Sequence, residues 1–273
     1  MQRHHFEPTT LTNESEKRVK TAILAGGVGS RLGIETESKP KPLVEVGGRP
    51  ILWHIMQHFH SHGFSDFVIA LGYKGECIKQ YMADYAQLHG DLKINLQSNQ
   101  IQRYGERPVD WSVELIETGL RTQTGGRIKR LRDYLDEQTF MLTWGDGVST
   151  VDISELLAFH RSHGKLATVT AVRPPARFGH LEFEGNRVTE FSEKPQLSEG
   201  WINGAYFVLE PGVFDYIDND KCHWEKAPME KLAADGQLMA YRHEGFWQCL
   251  DTPRDLALLN RLWSTGQAPW KTW

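Results

Sequence analysis

Three cysteines in 273 residues, a formal net charge of −4 and the lack of any long apolar run each remove a class of protein. Cys77, Cys222 and Cys249 are odd in number, far apart and in no Cys-x-x-Cys spacing. Neither a disulfide framework nor a zinc ribbon is indicated, and three reduced thiols in a cytoplasmic protein is the plain reading. The near balance of 31 Lys and Arg against 35 Asp and Glu suggests no polyanionic partner, so no nucleic acid is expected. No stretch reaches the ~18 apolar residues of a membrane span. Residues 1–20 lack the apolar core of a signal peptide. Residues 1–19, polar and mixed in charge, are expected to form a flexible arm ahead of a single domain, 20–273. No repeat, low-complexity tract or linker divides that domain. Several catalytic signatures are missing as well. There is no Gly-x-x-x-x-Gly-Lys-Ser/Thr loop, and Leu32 stands where Gly-x-Gly-x-x-Gly needs its last glycine. His54, His58 and His62 share a helical face, but no His-Glu-x-x-His surrounds them, so they are read as structural rather than as a zinc site.

What is present is alternation. Apolar runs at 21–25, 67–71 and 140–144 read as buried strands, with shorter ones at 93–96 and 112–116. Between them, 51–62, 76–86 and 127–135 have helical spacing; Pro50 opens the first of these and Gly63 closes it. Later come a helix at 152–160 capped by Asp152, a strand at 166–172 and a hairpin of 178–183 with 187–191. A strand at 205–209, a helix at 212–217, strands at 239–242 and 247–250 closing the sheet, and a last helix at 253–263 complete the chain. Such alternation predicts an α/β, Rossmann-like fold: a mixed, mostly parallel sheet flanked by helices on both faces.

The first strand runs into Gly26-Gly27-Val28-Gly29-Ser30-Arg31-Leu32, and Lys39-Pro40-Lys41-Pro42 follows. Glycines let backbone N–H groups approach an anion closely, and Arg31 and Lys41 add fixed positive charge, the chemistry of holding a triphosphate. Asp146, between Gly145 and Gly147, ends a predicted strand, where ligands of parallel sheets bind. Asp251 ends another. Two lone aspartates from distant parts of the chain suit one Mg²⁺ that keeps water and phosphate oxygens as its other ligands. Asp251 could equally cap the helix opened by Thr252-Pro253. In Glu193-Lys194-Pro195, Lys194 could neutralise a second phosphate and Glu193 could accept bonds from sugar hydroxyls. Asn203-Gly204 sits at a strand entrance.

The order of these elements resembles the sugar-1-phosphate nucleotidyltransferase family, and within it the glucose-1-phosphate cytidylyltransferase branch. The narrower likeness is carried by Pro50-Ile51-Leu52-Trp53-His54-Ile55-Met56, Gly72-Tyr73-Lys74-Gly75 and Thr124-Gly125-Gly126-Arg127-Ile128-Lys129-Arg130. Arg177-Phe178-Gly179, Gly245-Phe246-Trp247-Gln248 and the terminal Ala268-Pro269-Trp270-Lys271-Thr272-Trp273 add to it. The resemblance implies a fold of the nucleotide-diphospho-sugar transferase type. It implies that Gly26, Gly27, Gly29, Ser30 and Arg31 hold the nucleotide with Lys41. Thr124, Gly125 and Arg127 would lie near that nucleotide, Asp146 and Asp251 would hold Mg²⁺, and Glu193, Lys194, Gly179 and Asn203 would meet the sugar phosphate. Arg31, Lys41, Lys194 and Asp146 are the candidate catalytic residues. Departures from the family pattern fall at Ser30, Trp144, His180 and Ala205, the last two beside the sugar.

The implied reaction moves a cytidylyl group from CTP to α-D-glucose 1-phosphate, giving CDP-glucose for cell-surface polysaccharide, in a homo-oligomer with sites near subunit contacts. Three alternatives stay open: another nucleotide or hexose phosphate, a metal-dependent glycosyltransferase, or a non-catalytic sugar-nucleotide-binding protein. A glycosyltransferase would usually carry Asp-x-Asp, and Val148 stands in that place.

Overall fold

A computed structural model describes residues 19–33, 35–104, 109–135, 138–173, 180–184, 186–192 and 200–273. The first half contains β1 (Thr21–Leu24), the one-turn α1 (Glu35–Ser38), a ribbon of β2 (Glu45–Val46) and β3 (Arg49–Pro50), and α2 (Ile51–Ser61). It continues with β4 (Asp66–Leu71), α3 (Gly75–Leu88), the hairpin β5 (Asp91–Asn95) and β6 (Gln100–Tyr104), and β7 (Ser112–Glu117). Then come α4 (Thr124–Arg130), β8 (Phe140–Trp144) and β9 (Gly147–Ser149). The second half holds α5 (Ile153–His163), β10 (Ala167–Val172), the hairpin β11 (His180–Glu184) and β12 (Arg187–Ser192), and β13 (Ile202–Leu209). A 3-10 helix at Pro211–Tyr216, α6 (Ala227–Ala234), β14 (Leu238–His243), β15 (Trp247–Cys249) and α7 (Pro253–Ser264) follow.

The main sheet has seven strands in the order β14-β10-β13-β8-β1-β4-β7. Only β13 runs against the rest: it pairs antiparallel with β8 and β10, and the other pairs are parallel. This is the mixed, mostly parallel sheet expected, and it runs without a break from the first half of the chain into the second. Central strands buried on both faces read as continuous apolar runs, and every residue of β1 is buried. Successive side chains still divide between the two faces. Ala22, Leu24, Val68, Ala70 and Leu142 pack with Ile128, Leu131 and Trp224. Ile23, Ile69 and Met141 pack with Ile55 and Phe59 of α2, Ile78 of α3 and Leu156 of α5 on the other face.

Helix ends follow local chemistry. Asp152 caps α5 by accepting the Glu155 N–H at 2.9 Å, as expected. At α7 the cap is Thr252, in a reciprocal box with Asp255 and Pro253 in the first turn. That leaves the carboxylate of Asp251 unused by the helix. Two expectations change. The strand at 247–250 does not close the main sheet; β15 pairs with β9 in a ribbon of its own. The segment at 127–135 splits into α4, which begins at Thr124, and a separate 3-10 turn at Arg132–Tyr134.

His54 and His58 of α2 face the core. His54 Nε2 donates to Val46 O at 2.8 Å and His58 Nε2 to Val151 O at 2.9 Å. Trp263, Trp270 and Trp273 pack their rings around His54, which anchors the C-terminal segment. Burial pushes both imidazoles down to about 4, against the smaller opposing pull of their carbonyl partners. Unfolded histidine titrates near ~6.5. Between these values the unfolded chain binds more protons, so stability is complete above the unfolded value and falls as pH drops through the window. Chemical denaturation between pH 7 and pH 5 should therefore show stability falling with acid, by up to ~2 kcal/mol per histidine over that window. His54→Gln should lose part of that slope. An unchanged slope would mean that His54 is not held neutral.

Candidate active site

The C-terminal end of β1 opens onto the glycine loop. Gly26 lies against a guanidinium: a Cβ there would come within 2.2 Å of Arg127 Nη1. Gly29 has φ +68°, a left-handed conformation that favours glycine. Its backbone abuts Lys41, whose Cβ would be 2.9 Å from a methyl at Gly29. The N–H groups of Gly27, Val28 and Gly29 donate to no backbone acceptor among the described residues, so they are available to an anion.

Lys41 begins a 3-10 turn between Pro40 and Pro42, which fixes its backbone. Its Nζ lies 2.6 Å from Asp146 Oδ2 and 2.5 Å from Asp251 Oδ1. Arg31 Nη1 lies 2.8 Å from the other oxygen, Asp251 Oδ2. The Lys41 side chain is only 12% exposed, Asp251 15% and Asp146 25%. Burial alone would pull the ammonium down, but the two carboxylates outweigh it and hold Lys41 above its ordinary value. What unites the aspartates is the β9–β15 ribbon. Gly147 pairs with Cys249, and Leu250 N donates to Asp146 O at 2.7 Å, so residues far apart in sequence end side by side. Tyr206 of β13 donates to Gly147 O at 3.2 Å and secures the ribbon to the main sheet.

A cavity of about 320 Å³ opens beside this cluster. Of the sequence-derived candidates, Gly26, Gly27, Gly29, Arg31, Lys41, Thr124, Arg127 and Asp146 line it. Asp251 is not among its lining residues and touches Lys41 from behind. Ser30 is exposed on the loop. Gly125 packs against the 219–225 segment, where a Cβ would come within 2.8 Å of Cys222 O. Thr124 Oγ1 donates to Glu225 and accepts from Trp224 N. Asn203 Oδ1 accepts the N–H of Ala205 at 2.8 Å and holds a kink in β13 in which Ala205 has φ +63°. Gly179, Glu193 and Lys194 lie outside the described residues. Arg121 and Trp144 also line the cavity. Sequence reasoning did not single out Arg121, and a lone arginine in a loop carries no pattern that could have marked it.

Arg127 has a second task. It is 5% exposed, and its partners among the described residues are oxygens that bear no charge. Nη1 donates to Leu71 O at 2.9 Å and Thr118 Oγ1 at 2.7 Å, and Nη2 to Gly26 O at 2.9 Å. It thus ties together the exits of β1, β4 and β7. Burial lowers its pKa, with a smaller push from Arg130.

The donor set suits a divalent cation chemically. Asp146 and Asp251 offer hard carboxylate oxygens, the donor type that a divalent cation shared with phosphate oxygens takes.

The model of the nucleotidyl transferase family matches residues 20–262. The chain belongs to this family. A glucose-1-phosphate cytidylyltransferase of Salmonella typhi is 49% identical over 256 residues, 93% of this chain and 100% of that protein. The catalytic subunit beta of a mannose-1-phosphate guanylyltransferase from Dictyostelium discoideum is 32% identical over 87% of this chain and 62% of its own length. Among solved structures, HddC from Yersinia pseudotuberculosis superposes with a TM-score of 0.67 at 22% identity, covering 90% of this chain and 99% of that one. It shares the nucleotide-diphospho-sugar transferase fold.

The Arg127 fork can be tested without substrate. Arg127→Met removes three charge-assisted hydrogen bonds, while Gly26 O keeps the Tyr73 N–H and Leu71 O keeps Thr118, and should cost ~1–2 kcal/mol in urea denaturation. Arg127→Lys should recover little, because an ammonium lacks the planar fork. Wild-type stability in Arg127→Met would remove the strut role.

Proposed function

We propose that the chain transfers the cytidylyl group of CTP to α-D-glucose 1-phosphate, releasing pyrophosphate and CDP-glucose. The observation that carries this reading is 49% identity to a glucose-1-phosphate cytidylyltransferase along that protein's whole length. The geometry around Lys41 agrees with the chemistry required. A phosphate oxygen of glucose 1-phosphate attacks the α-phosphorus in line. One P–O bond forms as the bond to the β-phosphate oxygen breaks. The nucleophile is already anionic, so no side chain need remove a proton. The site must instead offset repulsion between anions and stabilise charge on the transferring group.

The glycine loop offers the triphosphate N–H donors that have no backbone acceptor among the described residues, and Arg31 and Lys41 bring positive charge to its edge. Asp146 and Asp251 would hold Mg²⁺, which when bound neutralises phosphate oxygens as a Lewis acid. Arg127 and Thr124 flank the nucleoside side of the cavity. Lys194 and Glu193 serve the sugar phosphate, with Asn203 and Gly179 beside it. The enzyme works in the cytoplasm; no helix among the described residues is long and apolar enough to cross a membrane. It assembles as a homo-oligomer. The β5–β6 hairpin supports this, since it stands apart from the main sheet with Leu96 86% and Ile101 57% exposed, and an isolated ribbon of this kind gains stability from cover.

Base choice is the most exposed part of this reading. Cytosine offers an amino group where uracil offers a carbonyl oxygen. A pocket built on an acceptor for that amino group discriminates by roughly 10⁴-fold or more, and one built on shape alone by about 10²-fold. Pyrophosphate release measured with CTP, UTP, dTTP and GTP should show a kcat/KM preference for CTP over UTP in the larger range. Equal use of UTP would overturn the cytidylyl assignment and leave the family intact.

A further inference from the structure

The two carboxylates assigned to a divalent cation already have cationic partners within the chain. Lys41 Nζ contacts Asp146 Oδ2 at 2.6 Å and Asp251 Oδ1 at 2.5 Å, and Arg31 Nη1 contacts Asp251 Oδ2 at 2.8 Å. Of the four carboxylate oxygens only Asp146 Oδ1 lacks a cation among the described residues. Mg²⁺ binds oxygen at ~2.0–2.1 Å. An ion that close to both aspartates would compete with the bridging ammonium for the same oxygens, and the two positive centres would repel each other. The arrangement does not yield easily. Pro40 and Pro42 fix the backbone of Lys41, and the β9–β15 ribbon fixes the aspartates.

We propose that Lys41 is the intramolecular counter-ion of the metal pair: it holds Asp146 and Asp251 until a metal–nucleotide complex arrives, and then exchanges partners. The triphosphate supplies anionic oxygens to Lys41 while its cation takes over the aspartates. A free divalent ion brings no anion for the displaced ammonium, which would be left nearly buried and uncompensated. The cation therefore enters on the nucleotide and not ahead of it. Lys41 thus couples metal loading to nucleotide binding, with Arg31 as a weaker partner because it touches only one aspartate. The inference rests on the assignment of Asp146 and Asp251 as metal ligands, and not on which base is used.

The test is direct binding of Mn²⁺ alone to the full-length protein, read by electron paramagnetic resonance or calorimetry at one fixed pH. Wild type should bind free Mn²⁺ weakly, and at least tenfold more tightly in the presence of a non-hydrolysable CTP analogue. Lys41→Met should bind Mn²⁺ alone at least tenfold more tightly than wild type. Arg31→Met should gain less, and adding Asp146→Asn to Lys41→Met should abolish the gain. If Lys41→Met folds poorly, Lys41→Gln serves in its place, and Mn²⁺ alone should raise the melting temperature of the Gln variant but not of wild type. Equal Mn²⁺ affinity in wild type and the neutral variants would overturn the proposal. So would wild type that binds free Mn²⁺ as tightly as it does with the analogue. Neither result would bear on CTP preference, which the nucleotide panel reads separately.

Discussion

The pairing of one ammonium with two carboxylates, Lys41 with Asp146 and Asp251, is the constraint around which the rest of the site is arranged. Three stretches of chain must meet for it to form: the Pro-Lys-Pro turn, the exit of β8 and the exit of β15. The parallel sheet delivers the first two, because β1 and β8 are neighbours that end at the same edge. The third arrives through the β9–β15 ribbon. Placing like charges together at low exposure is costly, and the ammonium between them is what makes the cluster tolerable. Such a cluster gives little net stability, since desolvation offsets much of the attraction. Under the proposed function, it holds charges ready for a substrate that is itself heavily charged.

The same edge of the sheet collects the other polar demands. The glycine loop exposes N–H groups that donate to no backbone acceptor among the described residues, Arg127 gathers the carbonyl oxygens at the ends of β1 and β4, and the kink at Asn203 and Ala205 sits where β13 enters beside the exit of β8. Buried backbone oxygens need partners, and a buried arginine satisfies several with one side chain. Arg127 thereby makes the wall of the cavity as well as lining it. Trp247 Nε1 adds a further tie, donating to Gly204 O at 2.7 Å and so linking the β15 ribbon to the start of β13.

Much of this was legible in the sequence, for physical reasons. Central strands buried on both faces must be continuous apolar runs, so β1, β4, β8 and β13 stood out. Asp152 was readable as a cap because a carboxylate three residues ahead of a free N–H has that one obvious use. Arg31, Lys41 and Asp146 were singled out because glycine and proline around a charge leave few structural explanations for it, and the structure brings the three to one cavity. Asp251 was not decidable, since a cap and a ligand look alike one residue before Thr252-Pro253. Only the cap made by Thr252 itself releases it. The ribbon strands β9 and β15 are three residues long, too short to carry a period, so their pairing could not be foreseen. For Gly125 and Arg127, family likeness pointed to the nucleotide. The close approach of Cys222 O and the three neutral oxygens on Arg127 are tertiary facts that no motif encodes.

If the Lys41 cluster acts as one device, its members should not contribute independently. Turnover of Asp146→Asn, Asp251→Asn and the double variant, compared in a single assay with folding checked by circular dichroism, measures this directly. The account predicts that each single substitution cuts kcat by at least ~10²-fold and that the double variant is hardly worse than either, as for residues that act as a unit. Near-normal turnover in Asp251→Asn, or losses that simply multiply in the double variant, would contradict it.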